Sequence, residues 1–141
     1  MYSLSLHDAS AVYSAAGDRL DSDMIRQGQM LGHHFDRVIL YEGTYCRGRK
    51  PGDIVHFFRE GLALGARVRE TKWFNTWCES VQHALDTAVA GELILIQADV
   101  VDETIEFFSK LPITDMSIGN GQRAKTDGAK QADSPAKAKP I

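Results

Sequence analysis

Three cationic side chains, Arg47, Arg49 and Lys50, fall within four residues of the stretch YEGTYCRGRKPGDI, Tyr41 to Ile54. Guanidinium groups offer planar, bidentate donors to carboxylates and phosphates, and an ammonium adds a compact charge. Gly43, Gly48 and Gly52 flank the cluster and let a backbone approach a bound group closely. The chemistry that such a cluster serves is anion binding; a solvated basic loop is the bland alternative, and the flanking glycines tilt the balance toward a ligand. Three further stretches carry polar groups: GDRLDSD with Asp18, Arg19, Asp21 and Asp23, KWFNTW with Lys72 and Asn75, and QADVVDE with Gln97 and Asp99. A local Asp18–Arg19 ion pair closing a turn explains the first equally well. Asp21, Asp23 and Asp99 read alternatively as helix caps, the favoured reading for Asp99, and Lys72 and Trp73 as exposed loop residues.

Other chemistries lack their signatures. The chain has no GxxxxGK[ST] loop, no GxGxxG, and no Ser–His–Asp or Cys–His pattern. Its five histidines are scattered and its two cysteines, Cys46 and Cys78, form no CxxC, so no metal site and no disulfide framework are expected. A reduced, cytoplasmic setting follows as the default. The 141 residues, 43% hydrophobic and 25% charged, suit one globular domain, and runs such as LILI (93–96) are far too short to span a bilayer. Residues 1–111 carry 16 acidic and 11 basic residues, a net charge of −5, whereas 112–141 carry a net +2. An acidic body argues against non-specific nucleic-acid binding, which rests on neutralising phosphates. It also makes the cations at 47–50 stand out.

The elements that must position these groups alternate. AVYSAA (11–16), RVILY (37–41), RVRET (67–71) and ELILIQA (92–98) read as strands. Between them, positions 24, 28, 31 and 35 mark one helix, with Asp21 and Asp23 in its first turn. Ile54, Phe57, Phe58, Gly61 and Leu62 mark a second, with Pro51 expected at its first position. A third follows a Thr76/Glu79 capping box with Trp77, Val81, Ala84, Leu85 and Ala88 inward. A fourth is capped by Asp99, with Val101, Ile105 and Phe108 inward. The β-α-β-α-β-α-β-α order predicts an α/β, Rossmann-like, mostly parallel sheet with helices on both faces. Every polar stretch singled out comes after a strand, at the sheet edge where ligands of such folds bind. The loops of the opposite edge, HHFD, LGA and VAGE, read as bland. Residues 119–141, rich in Gly, Ala, Lys, Pro and Ser, are expected to be disordered, and PITDMSI before them to add a short edge strand.

From about Val12 to Leu111 the motifs GDRxDxD, FDRVILYE, RGRxxGDI and ADxVDET occur in order. Together they resemble the C-terminal part of the Mur-ligase-like half of cyanophycin synthetases. The resemblance implies an ATP-dependent amide ligase that adds arginine to a poly-aspartate chain, or a relative that polymerises β-aspartyl-arginine dipeptides. ATP and Mg²⁺ would be held mainly by a P-loop central domain outside this chain, with an ATP-grasp domain in the same protein. The C-terminal domain of such ligases closes over ATP and forms part of the substrate pocket. Asp18 and Arg19, with Asp21, would then face the nucleotide. Arg47 and Arg49 would act in catalysis, and Arg47, Arg49, Lys50 and Lys72 would bind substrate. No nucleic-acid or membrane partner is implied.

One departure bears on the boundaries. Mur-type C-terminal domains carry a further strand–helix unit before the GDR strand, and nothing of that kind precedes Ala11. Instead SLSLHDA resembles a translated sequencing adapter. The expected organisation is a non-native or disordered leader at 1–10, the α/β domain at 11–111 and a flexible tail at 112–141, the whole being a truncated fragment inactive by itself. The alternative is a stand-alone Rossmann-like module that binds an anion or nucleotide without catalysis.

Overall fold

The computed structural model describes residues 8–43 and 46–112. Four strands alternate with four helices, all but the last residue of the last helix lying in the first compact unit, which ends at Phe108: β1 (Ala9–Tyr13), α1 (Asp21–His34), β2 (Arg37–Tyr41), α2 (Asp53–Leu62), β3 (Glu70–Phe74), α3 (Trp77–Asp86), β4 (Leu93–Ile96) and α4 (Val101–Ser109). Of the second unit, which starts at Ser109, only residues 109–112 are described. The sheet order is β3-β2-β1-β4 and every pairing is parallel. The expected α/β architecture is therefore the observed one. The expected tail and most of PITDMSI lie outside the described residues.

Alternation along the inner strands divides the core in two. Ala11, Val38 and Leu40 face one side, where Met24 and Leu31 of α1 and Ile54, Val55, Phe58 and Leu62 of α2 cover them. Val12, Ile39 and Tyr41 face the other side, beneath Trp77, Val81 and Ala84 of α3. All five residues of RVILY are buried because β2 lies inside the sheet with helices on both faces. The two helices α1 and α2 meet at glycines. A methyl on Gly61 would lie 2.0 Å from the carbonyl oxygen of Ile25, and one on Gly28 would lie 2.4 Å from that of Phe58.

Five local expectations are corrected. β1 starts at Ala9 rather than Ala11, taking buried Ser10 into the sheet. β3 covers 70–74 rather than 67–71, because the approach to it is tied elsewhere: the backbone N–H groups of Arg67 and Val68 donate to the Gly32 carbonyl, those of Arg69 and Glu70 to the Asp36 carbonyl, and pairing with β2 begins only at Glu70. Pro51 lies in the turn before α2, which starts at Asp53 after Gly52 in a left-handed conformation (φ 94°). In α4 the inward residues are Phe107 and Phe108, which meet Trp77 edge-on at 5.4 and 6.4 Å, whereas Val101 and Ile105 are exposed. Ala88, expected inward, is also exposed, beyond the end of α3.

The edge expected to be bland carries a dense polar network. The Arg37 guanidinium pairs with Glu92 at 3.0 Å and donates to Ser10 Oγ, Thr87 Oγ1 and the Ala84 carbonyl, while the Ser10 hydroxyl donates to Glu92. Burial pushes the Glu92 carboxyl up, but hydrogen bonds from Ser10 and Val89, together with Arg37, hold it below its ordinary value. Beside it, Arg67 donates to both oxygens of Asp36, which also accepts from the Ala9 N–H and pairs with Arg69. These carboxylates fasten β1, β2 and the approaches to β3 and β4.

Candidate functional site at the C-terminal edge of the sheet

The chain lays down β1, β2 and β3 in one direction and then returns to place β4 on the other flank of β1. The loops after β1 and β4 therefore diverge to opposite faces, the arrangement that opens a ligand crevice at the carboxyl ends of the strands. Two adjoining cavities lie there. One of about 290 Å³ is lined by Ser14, Ala15, Ala16, Gly43, Arg47 and Asp99. The other, of about 160 Å³, shares Gly43 and Asp99 and reaches Tyr41, Asn75 and Trp77.

The basic loop sits on this edge and its three cations differ in use. Arg49 is a tether. Its Nε donates to the Gly17 carbonyl at 2.7 Å and its Nη2 to the Arg19 carbonyl at 2.6 Å, and the same Nη2 pairs with Asp21 at 2.6 Å. Its guanidinium also lies 5.5 Å from the centre of the Phe57 ring. Arg47 pairs with Asp18 at 3.3 Å, but both side chains remain more than half exposed. Its backbone is left-handed (φ 45°), which directs the chain through the turn at 47–48. Lys50 fixes its backbone N–H on Asp53 at 3.1 Å and leaves its side chain exposed. A methyl on Gly17 would lie 1.9 Å from the Cys46 carbonyl oxygen, so only glycine permits the β1–α1 and β2–α2 loops to touch.

The structure thus brings Asp18, Asp21, Arg47 and Arg49, with the Arg19 carbonyl, into one contiguous loop pair. The Arg19 side chain is exposed. Lys72 is not part of the group: with β3 shifted along the sequence it lies in mid-strand opposite Ile39, exposed on the outer strand of the sheet. Among the described residues no three His, Cys, Asp or Glu side chains converge to hold a metal ion. Arg19, Arg47 and Lys50 are the cations of this loop pair with exposed side chains, free to meet a phosphate or carboxylate.

Other participants take their roles from partners far along the chain, which the sequence pattern does not show. Glu42, just past β2, accepts hydrogen bonds from the N–H groups of Gly52 and Ile54 at 2.6 and 3.2 Å and so caps α2 across ten residues of loop. Asp99, expected as a helix cap, instead accepts the hydroxyl of Tyr41, which is 1% exposed. Burial and then this bond push the Tyr41 phenol well above its ordinary value, so it stays a neutral donor. The Gln97 side chain accepts the Ser14 N–H at 2.8 Å, and its carbonyl accepts the Trp77 indole at 2.7 Å, pinning the β4–α4 loop to β1 and α3. Ser14 itself is 2% exposed, and its Oγ is buried without a hydrogen-bond partner among the described residues.

No family model matches the chain. It is 25% identical over 99 residues to a cyanophycin synthetase of Crocosphaera subtropica, covering 70% of this chain and 11% of that protein. It is 28% identical over 95 residues to the cyanophycin synthetase of a Synechocystis species, covering 67% and 11%, and 25% identical over 103 residues to that of Geminocystis herdmanii, covering 73% and 12%. The chain therefore spans about 11% of the length of the curated relatives it matches. The resemblance carried by its ordered motifs is borne out over about 70% of its residues: this chain is similar to one segment of cyanophycin synthetase.

Proposed function

We propose that the chain is the C-terminal domain fragment of an ATP-dependent carbon–nitrogen ligase of the cyanophycin-synthetase type. The observation that carries the reading is the half-exposed Arg47, held on the ligand edge by a loop that Arg49 anchors. In this reading ATP, bound with Mg²⁺ by a P-loop central domain, supplies the phosphoryl group that activates a substrate carboxylate. This chain contributes binding and charge. Arg47 exchanges Asp18 for the ligand's anionic oxygens and presents two parallel N–H donors to them. Lys50 adds a point charge from the same turn. Arg49 does not touch the ligand; it holds the turn so that the Arg47 guanidinium need not be ordered at the moment of reaction. Glu42 keeps the N-terminus of α2 in place behind the loop. Asp18, Arg19 and Asp21 form the wall that meets the nucleotide. The partners are the rest of the ligase chain, including its ATP-grasp domain, and an aspartate/arginine polymer that receives arginine or an aspartyl-arginine unit.

The test uses the full-length enzyme. Arg47→Ala should lower kcat/KM at least tenfold, a loss of about 1.4 kcal/mol of transition-state binding, while leaving the circular-dichroism spectrum unchanged. Unchanged kinetics would remove the loop from the mechanism. Because the loop pair is complete within this chain, a binding module without catalysis is the second reading. Saturable nucleotide binding by a natural protein that consists of this chain alone, without turnover, would favour it.

A further inference from the structure

The two edges of the sheet are built differently. β3 lies on one flank with Glu70 and Lys72 in the strand, and the Arg59 guanidinium lies 4.4 Å over its Trp73 ring. Charged side chains of this kind keep an edge from pairing with another chain. β4, on the other flank, is Leu-Ile-Leu-Ile and carries neither a charge nor a proline. The N–H groups of Leu93 and Gln97 donate inward, to the Asp8 and Val12 carbonyls. By alternation, the N–H and C=O groups of Ile94 and Ile96 point away from the sheet. The side chains of Ile94 and Ile96 pack on the core beneath α3. Leu93 and Leu95 stand on the opposite face, opposite Ala9 and Ala11 but outside the core that α1 and α2 cover, and they are 66% and 48% exposed. Parallel sheets are normally covered on both faces.

α4 extends the same flank. Its Glu103 accepts the Cys78 thiol of α3. Val101 and Ile105 lie on the other side of the helix and so face away from α3, toward the outer edge of β4, each 63% exposed. Among the described residues nothing covers this flank, which is an open strand edge with two leucines on one face and an aliphatic helix ridge on the other. A second copy of the chain fits it. A two-fold axis normal to the sheet sets β4 antiparallel to its own copy and keeps each face beside its like. With Leu95 opposite its counterpart, Ile94 of each copy exchanges both backbone hydrogen bonds with Ile96 of the other, and every outward group of the strand is used. The leucines then meet on one face, and Val101 and Ile105 meet their counterparts on the other.

We propose that the chain forms a two-fold dimer through β4 in this register, which joins two sheets into one. The charged β3 edge closes the assembly at two copies. The seam of one short strand and one helix flank falls at the small end of stable interfaces, about 1,200 Å² in all, so a dissociation constant of about 10 μM is expected. The dimer does not depend on the ligase reading.

Sedimentation velocity of the full chain, from about 1 to 200 μM, should show the 15.6 kDa species giving way to one of twice that mass. Leu93→Lys with Leu95→Lys, at positions exposed in the single chain, should raise the dissociation constant at least about tenfold and leave the circular-dichroism melt of the dilute protein unchanged. The register has its own test. Opposed residues of a non-hydrogen-bonded antiparallel pair have Cα atoms about 4.5 Å apart, within reach of a disulfide. Oxidation should therefore crosslink Leu95→Cys into dimers. Leu93→Cys, opposite Gln97 of the second copy, should crosslink no faster than the parent, which keeps Cys46 and Cys78. A chain that stays monomeric throughout would overturn the proposal, and that is the result expected if a different protein fills the edge. A dimer indifferent to the double substitution, assemblies larger than two, or equal crosslinking of Leu93→Cys and Leu95→Cys would overturn it as well.

Discussion

Arg47 and Arg49 are two residues apart and chemically identical, yet the structure gives them opposite roles, and removing each in turn separates the two. Arg49 has a side chain only 20% exposed, donates to two backbone carbonyls and pairs with Asp21. Hydrogen bonds from a charged donor contribute about 1.5–3 kcal/mol each where water is excluded. Here water can reach the emptied carbonyls, and Asp21 is 55% exposed, so the pair itself adds no more than about 0.5 kcal/mol. Arg49→Ala should therefore cost about 2–3 kcal/mol in all, a large part of the stability of an ordinary domain. Arg47, with a side chain 58% exposed and a partner 54% exposed, should cost about 0–0.5 kcal/mol when replaced by Ala. Arg49→Lys tests whether charge or shape matters: an ammonium cannot span both carbonyls as a planar fork does, so most of the loss should remain. Urea unfolding followed by the fluorescence of buried Trp77 reads all three, and a loss of this size moves the midpoint by about 1–2 M. If Arg49→Ala and Arg47→Ala fall within about 0.5 kcal/mol of each other, the tether argument is wrong. If Arg49→Lys matches the parent, charge alone holds the loops.

Three other outcomes are expected. Gly61→Ala drives a methyl into the Ile25 carbonyl and should destabilise the fold by about 3 kcal/mol, the upper end for overpacking, with Gly61→Ser no better in the same melt. Glu92 and Asp36 are both held below their ordinary values, so their stabilisation is complete above the unfolded carboxylate values and is lost as pH falls through the folded ones. Acid unfolding followed by circular dichroism should accordingly be less steep in Glu92→Gln than in the parent, whereas Glu92→Ala, which strands buried Arg37, should cost on the order of 3 kcal/mol at neutral pH. An identical acid limb in Glu92→Gln would mean that the carboxylate does not titrate with folding. Tyr41→Phe removes the donor to Asp99 and should cost about 1 kcal/mol; an ultraviolet titration of the parent should show one phenol still neutral after free tyrosine has ionised, and that lag should vanish in the variant.

The fold was legible wherever local pattern and burial coincide. RVILY is a continuous apolar run because β2 is buried on both faces, and its limits read from sequence are those observed. Thr76 accepts the Glu79 N–H as the capping pattern requires. Pattern failed where two phases were available. The residues Val101, Ile105, Phe107 and Phe108 permit two inward stripes on α4, and only the position of Trp77 selects Phe107 and Phe108. It failed again at β3, whose lead-in carries the strand-like Val68 while its backbone is committed to Gly32 and Asp36. Of the site, the cationic loop and its edge were readable from the residues just past each strand. The division of labour between Arg47 and Arg49 was not, since it depends on carbonyls about 30 residues away. The Arg37–Glu92 pair and the Tyr41–Asp99 bond span 55 and 58 residues and leave no spacing to find.

The contact of Gly17 with Cys46 and the close seating of Gly61 on α1 have a mechanical consequence. The loops at 17–21 and 46–52 each lead into one of two helices that touch backbone to backbone, and Arg49 bolts one loop to the other. Neither loop can swing without dragging its helix, and neither helix can slide while glycines leave no slack between them. The edge therefore behaves as one stiff jaw. Motion that brings it toward a ligand is motion of the whole sheet and its helices as a lever. The entropy of ordering the loops is settled during folding, so little of it would remain to oppose binding at this edge.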